Sequence, residues 1–368
     1  MVHLLQQIVY QKIRKRGASP RLAALLSERD RHFIDHLSPL SSLLNIPIIV
    51  SDQEVEALIQ AYYPQVEVIY QSPLNLGFYL LTHFDIIYTC LPNSLFREQV
   101  FVAELLANKT LFNVWCPHGN SDKGHKAPFM ETLCEERFAL VYGQNMIDFL
   151  REKGSLQELK EVLTTGNYRL KYYKTHKNFF QKKLKERLFL KKGKTILYAP
   201  TWKDGEGSSS IEGAFHHLIK EVPEDLNLLI KLHPNVLFFP EYVEQLFHQI
   251  SGKPNVQILT DFPLIYPLLD WIDIYLGDMS SIGYDCLSFK KPLFFLSPHQ
   301  RDLSKEKGLF LLECGTVIEP KDYPNIFSII KRTNTSRFEK TQTALYAQVF
   351  GEEENLKDRV VAAYEKES

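Results

Sequence analysis

Short apolar runs alternate with segments of helical period along the whole chain. In the first half, runs rich in β-branched and aromatic residues at 46–50, 66–70, 85–88, 110–115 and 138–142 read as strands. Stretches such as 53–62 and 98–107 lie between them and repeat apolar residues at helical spacing. The second half follows the same plan. Strands are expected at 195–198, 226–231, 256–259, 273–276, 292–296 and 316–318, with helices near 214–221, 241–250 and 282–287. Strand–helix alternation of this kind implies parallel sheets covered by helices, the α/β class. Two such series predict two doubly wound domains. Their joint is expected within 171–194, giving one domain over 1–175, a second over 176–335 and a helical tail over 336–368 that packs across both. The run Gly-Glu-Gly-Ser-Ser-Ser at 205–210 reads as a flexible loop.

Composition narrows the class. With 368 residues, 45% hydrophobic and 24% charged, the chain can bury ample core. No apolar run is long enough to span a bilayer, and the N-terminus lacks the layout of a signal peptide, so a cytoplasmic location is expected. The five cysteines have no zinc-like spacing, and an odd, dispersed set fits reduced thiols. Cys116 reads as a buried inert thiol rather than a nucleophile.

Net charge is −1, but residues 168–194 hold eleven Lys/Arg against one acid, leaving the rest of the chain at −11. Aromatic residues interleave with these cations. A solvated helix face and a surface for anionic lipid both fit. A nucleic-acid patch fits less well, because no recognition motif accompanies the charge. Val2, Leu4, Leu5, Ile8, Val9 and Ile13 share a helical face ahead of four basic residues at 12 and 14–16. That segment is either an interfacial helix or one packed on its own domain.

In open α/β sheets, ligands bind outside the carboxyl ends of the strands. Four polar clusters sit at such ends. They are the segment from Trp115 to Lys123, the segment from Tyr198 to Asp204, Lys231-Leu232-His233-Pro234, and the turn from Gly277 to Ser281. In the last, Ser280 and Ser281 stand where a serine caps a helix, and the helix start would also attract phosphate. Neither a G-x-G-x-x-G fingerprint nor a G-x-x-x-x-G-K-[ST] loop occurs, which argues against NAD and P-loop chemistry.

These clusters resemble the CDP-glycerol glycerophosphotransferase family, the primases and polymerases of teichoic acid synthesis. The matching residues are His118-Gly119 with Lys123, Tyr198-Ala199-Pro200-Thr201-Trp202, His233-Pro234, and Asp278 with Ser280-Ser281. Thr165-Gly166-Asn167-Tyr168-Arg169 resembles the family's Thr-Gly-x-Pro-Arg. The likeness runs from about 113 to 296. Asn120 stands where the family has threonine, Lys203 where it has arginine, Met279 where it has tyrosine, and Tyr168 where it has proline.

The resemblance implies a GT-B fold: two Rossmann-like domains facing across a cleft, the donor held by the C-terminal one and the acceptor side by the N-terminal one. It implies transfer of an alditol phosphate, glycerol phosphate first, from a CDP-linked donor to a hydroxyl of a surface-polymer or lipid-linked acceptor, with release of CMP. No metal or other cofactor is expected. Partners would be the nucleotide-linked donor, the acceptor and an anionic membrane surface at the inner face, with no nucleic acid.

His118 and His233 are the candidate catalytic residues. His118 would be the general base, since an unperturbed imidazole titrates near about 6.5. His233 would donate to the pyrophosphate. Gly119, Lys123, Thr201, Lys203, Lys231, Asp278, Ser280, Ser281 and Asp285 are the candidate substrate-binding residues. Lys203 reads equally as a solvated loop charge. Asp278 orients its turn or a histidine. Asp285 reaches a ribose hydroxyl or is a cap-region carboxylate. Two rivals stay open: a GT-B enzyme using a nucleotide sugar, and a non-catalytic nucleotide-binding relative.

Overall fold

The computed structural model describes residues 19–27, 31–120, 133, 135–157, 159–202, 207, 209–260, 262–297 and 310–367. The first unit comprises residues 1–118, 130–172 and 350–368, and the second 119–129 and 173–349.

In the first unit the chain runs β1 (Leu22–Leu26), α1 (Ile34–Leu44), β2 (Ile48–Val50), α2 (Gln53–Tyr62), β3 (Val68–Tyr70), α3 (Pro73–His83), β4 (Ile86–Thr89), α4 (Asn93–Ala107), β5 (Phe112–Trp115), β6 (Phe138–Val141), α5 (Gln144–Glu152) and β7 (Glu161–Thr164). Helix α6 (Tyr168–Thr175) carries the boundary between units. The strands form one parallel sheet in the order β3-β2-β1-β4-β5-β6-β7.

Two of these strands do not stand out in the sequence. Leu22–Leu26 reads Leu-Ala-Ala-Leu-Leu, a run of strong helix formers. It is nevertheless an interior strand, paired to β2 on one side and β4 on the other, and its last four residues are fully buried. Ladder hydrogen bonds on both edges override the local preference. β7 is a four-residue edge strand with a polar first position, too short to show a period.

The second unit runs α7 (Lys177–Lys185), β8 (Lys194–Ala199), α8 (Ile211–Glu221), β9 (Leu226–Lys231), α9 (Pro240–Gln249), β10 (Val256–Leu259), α10 (Tyr266–Trp271), β11 (Ile274–Gly277), α11 (Ser281–Cys286), β12 (Leu293–Leu296), β13 (Thr316–Ile318), α12 (Ile326–Arg332) and α13 (Glu339–Val349). All six strands expected here are present. They pair in parallel in the order β10-β9-β8-β11-β12-β13. Both sheets thus wind outward from their first strand in two directions, as in doubly wound nucleotide-binding folds. Their strands read as near-continuous apolar runs because helices cover both faces.

The tail expected at 336–368 is divided. α13 belongs to the second unit, whereas α14 (Leu356–Glu367) belongs to the first. There the Gly351 N–H donates to the Tyr142 carbonyl at 3.0 Å, and the Thr164 N–H donates to Glu354 Oε1 at 2.8 Å.

The basic stretch is partly consumed by structure. The Arg169 guanidinium is 3% exposed and donates from Nη2 to Asp35 Oδ2 at 2.6 Å and from Nε to the Asp35 carbonyl at 2.9 Å. Lys171 pairs with Glu353, and Lys177 with Asp270. Tyr168, Tyr172, Tyr173 and Phe180 are buried, while Lys174, Lys182, Lys185, Lys191 and Lys192 remain exposed. Gly166, in the Thr-Gly motif, has φ +59°, and a Cβ there would lie 2.8 Å from the Gly351 carbonyl oxygen, so two independent constraints require glycine. The amphipathic N-terminal segment lies outside the described residues, as do residues 205, 206 and 208 of the 205–210 loop.

Candidate active site

The strand order of the second sheet reverses between β8 and β11, so their carboxyl ends flank the crevice where such folds bind ligands. Gly277 pairs with Ala199 at those ends. One residue further on, Asp278 is 0% exposed. Its Oδ2 accepts the Thr201 N–H at 2.7 Å and the Ser210 N–H at 3.1 Å. One carboxylate thus fixes the loop after β8, the start of α8 and the turn after β11. Burial, and secondarily this carboxylate, holds the Tyr198 phenol well above its ordinary range.

Asp278→Ala leaves two buried N–H groups without an acceptor, each loss costing about 1–3 kcal/mol. Asp278→Asn keeps an oxygen in place and is expected to be clearly milder. Calorimetric melting of both variants checks this, and equal losses would show that the oxygen is not what matters.

Ser280 corrects one expectation. It is the residue before α11, with extended backbone, but its hydroxyl makes no capping hydrogen bond. The Oγ instead lies 3.5 Å from Tyr275 Oη, so it is not spent on the helix start. Ser281 opens α11, which continues into a 3₁₀ turn at Leu287–Phe289. Gly119, which clusters with the second unit, lies against it: a Cβ on Gly119 would sit 2.8 Å from Ser281 Cβ, and its φ is +142°. Only glycine allows that approach.

His233 ends the segment after β9 and N-caps the 3₁₀ turn Pro234–Phe238. Its Nδ1 accepts the Asn235 N–H at 3.1 Å. With Nδ1 accepting, the ring's donor nitrogen is Nε2. That nitrogen is the one that can donate to an anion. The Trp202 ring stacks on the imidazole, with centroids 6.1 Å apart at 28°. Trp202 belongs to the Tyr-Ala-Pro-Thr-Trp segment but is not among the candidate residues named above, and its place in that motif is the signal that could have found it.

Lys231 is buried and donates from Nζ to the Phe262 carbonyl at 2.8 Å, bridging the ends of β9 and β10. Asp285 is buried on α11 and accepts from Tyr266 Oη at 3.1 Å, which ties α10 to α11. Thr201 is buried, and its carbonyl accepts from Ser209 Oγ at 2.8 Å. Thr201, Asp278, Ser280, Ser281 and Gly119 are therefore gathered in one region of the second unit, with His233 and Lys231 on the neighbouring strand end. Lys123 and Lys203 lie outside the described residues.

His118 stands on the first unit, three residues past β5. It is half-buried, and its ring tilts against Phe33 with centroids 5.0 Å apart. Cys116, just before it, is fully buried, and burial pushes its thiol far up, so it is not a nucleophile. Further along the sheet, β5 and β6 are joined by the single pair Trp115–Ala139. A cavity of about 280 Å³ lies beside them, next to Glu136. That carboxyl accepts from the Asn93 N–H and from Asn113 Nδ2, yet burial still raises it to about 7. Among the described residues, no three His, Cys, Asp or Glu side chains form a group that could hold a metal ion.

Residues 148–317, which contain the whole β8–β11 region, match the family described as CDP-glycerol:poly(glycerophosphate) glycerophosphotransferase. The match covers the second sheet and the segment that leads into it. It is 28% identical over 142 residues to the teichoic acid glycerol-phosphate primase of Bacillus subtilis (strain 168), covering 38% of this chain and 33% of that protein. It is 26% identical over 221 residues to the teichoic acid ribitol-phosphate primase of Bacillus spizizenii, covering 55% and 53%. The chain therefore spans about a third to a half of these relatives. The solved structure of the wall teichoic acid polymerase TagF matches all of this chain at a TM-score of 0.61 and 14% identity, with 93% of that structure matched. That likeness shows the fold, a two-domain α/β architecture of the GT-B type.

Proposed function

We propose that this protein transfers an alditol phosphate, glycerol phosphate first, from a CDP-linked donor to a hydroxyl of a surface-polymer or lipid-linked acceptor. The observation that carries this reading is the Asp278-braced turn at the switch point of the second sheet. It leaves the Ser280 hydroxyl uncommitted to capping and lies within the matched segment. Ser280, Ser281 and Thr201 would hold the two linked phosphates, with Lys231, Lys123 and Lys203 supplying positive charge. His233 would donate from Nε2 to the same diphosphate. Asp285, already engaged by Tyr266, would help fix the ribose side.

His118 would take the proton from the acceptor hydroxyl as its oxygen forms a bond to the β-phosphorus. The bond from that phosphorus to the bridging oxygen breaks, and CMP leaves with it. Such transfer depends on positioning and on charge stabilisation. Cationic side chains and backbone N–H groups supply the latter in this reading, with no metal or other cofactor.

Incubation with CDP-glycerol, CDP-ribitol, UDP-glucose and UDP-N-acetylglucosamine, each with and without EDTA, tests the reading. CMP release from a CDP-alditol is expected, undiminished by EDTA. Release of a nucleoside diphosphate from a nucleotide sugar would replace this reading with a glycosyltransferase.

A peripheral location at the inner face of the membrane belongs to the same proposal. No helix among the described residues is long and apolar enough to cross a membrane. Helix α4 exposes Leu95, Phe101, Val102 and Leu105, with Phe101 60% and Leu105 69% exposed. The exposed lysines of 174–192, on the second unit, carry the charge that anionic lipid attracts. Flotation with phosphatidylglycerol vesicles at low salt is expected to carry the protein upward. Protein that stays at the bottom refutes this part.

A further inference from the structure

Asn120 is the polar side chain in this region that the fold leaves unexplained. It is 2% exposed, and neither Oδ1 nor Nδ2 has a hydrogen-bond partner. A buried carboxamide with both ends unmet is costly, and native proteins keep such a group where a ligand or bound water completes it. The residue before it, Gly119, is pressed against Ser281. Asn120 clusters with the same unit as that serine.

We propose that Asn120 determines specificity by hydrogen-bonding a hydroxyl of the alditol carried on the donor's β-phosphate, an inference that rests on the function proposed above. The chemistry of the side chain selects the ligand group. A phosphate oxygen only accepts and would satisfy Nδ2 alone. A hydroxyl both donates and accepts, and neighbouring hydroxyls of a polyol answer Oδ1 and Nδ2 together.

The position selects the end of the donor. Asn120 is two residues from His118, so their backbones are at most about 7 Å apart. His118 acts where the acceptor meets the β-phosphorus, and the alditol is bonded to that phosphate. The cytosine, whose edge could also pair with a carboxamide, is separated from it by the ribose and the α-phosphate. Threonine, the family's residue in the resemblance, offers a single oxygen at this point, whereas asparagine offers a donor and an acceptor on separate atoms.

The test is a cycle between enzyme and substrate. CMP release is measured for the unaltered protein and for Asn120→Ala, with CDP-glycerol and with a CDP-linked 1,3-propanediol that lacks the C2 hydroxyl. The unaltered protein is expected to prefer CDP-glycerol by about tenfold or more in kcat/KM. In Asn120→Ala the two substrates should become equal to within about threefold, chiefly through loss of activity on CDP-glycerol. Asn120→Ser, which keeps a hydroxyl in a smaller side chain, is expected to fall between and serves if the alanine variant does not fold.

A variant that loses the same factor on both substrates has only a structural asparagine, and the inference falls while the function stands. It falls in the same way if the unaltered protein does not distinguish the substrates, or if the variant changes only the choice between CDP- and UDP-linked glycerol. If the unaltered protein releases no CMP from any CDP-alditol, the proposed function fails and takes this inference with it.

Discussion

His118→Ala is expected to slow CMP release from CDP-glycerol by about 10²- to 10⁴-fold, the usual worth of a positioned general base. Binding of the donor alone should change little, because the residues proposed to grip the diphosphate belong to the other unit. The ring is half-buried and tilted against Phe33, so His118→Asn, which keeps polarity and part of the shape, is the better check on folding. Both variants should melt near the temperature of the unaltered protein. Isothermal titration with CDP-glycerol and a steady-state CMP assay together decide the matter. A loss smaller than tenfold in kcat, or a loss explained wholly by weaker donor binding, would remove His118 from the role of base.

The second large effect is on stability. Arg169→Met is expected to destabilise the first unit by about 3–5 kcal/mol, because it strands the Asp35 carboxylate in the interior without its cation. Asp35 also accepts from Tyr63 Oη at 2.7 Å, so the network joins α1, α2 and α6. The double variant Asp35→Leu/Arg169→Met removes both charges and is expected to recover most of the loss. Urea denaturation in a Trp202→Phe/Trp271→Phe background reads this directly, since Trp115 then reports on the first unit alone. If the single variant costs less than about 1 kcal/mol, the pair behaves like an exposed ion pair and the burial argument is wrong. The arginine of the Thr-Gly-x-x-Arg motif would on this account be a tether for the helices, with no direct part in the chemistry.

Much of the architecture can be read from residue order. The strands of the second sheet are short, largely apolar runs separated by helical segments, and all six emerge from that pattern. β1 does not, because leucine and alanine favour helix locally, and only pairing on both edges makes it a strand.

The candidate site divides in the same way. Polar residues at strand ends mark the region, and His118, His233 and the two serines are visible there. What each does depends on distant partners. Asp278 reads in the sequence as orienting its turn or a histidine, and it does brace the turn, through N–H groups from residues 77 and 68 positions away. Arg169 reads as the last residue of the Thr-Gly motif and one cation of a basic run, and its partner is 134 positions away. Ser280 reads as a helix cap, and the backbone geometry leaves it otherwise employed. Local pattern fixes which side chains end a strand; the direction they face is set by loops that pattern does not connect.

The division of the tail has a consequence for how the molecule is made. Phe350 packs edge-on to Tyr142, Gly351 bonds to the same residue's backbone, and Glu354 secures β7. The unit whose strands come first in the chain therefore has these contacts only once the segment after residue 349 is present. The unit begun later, 173–349, has all its strands and flanking helices in hand sooner. A chain cut after residue 349 would thus keep every strand of the second unit while the first lacked the contacts of its closing segment.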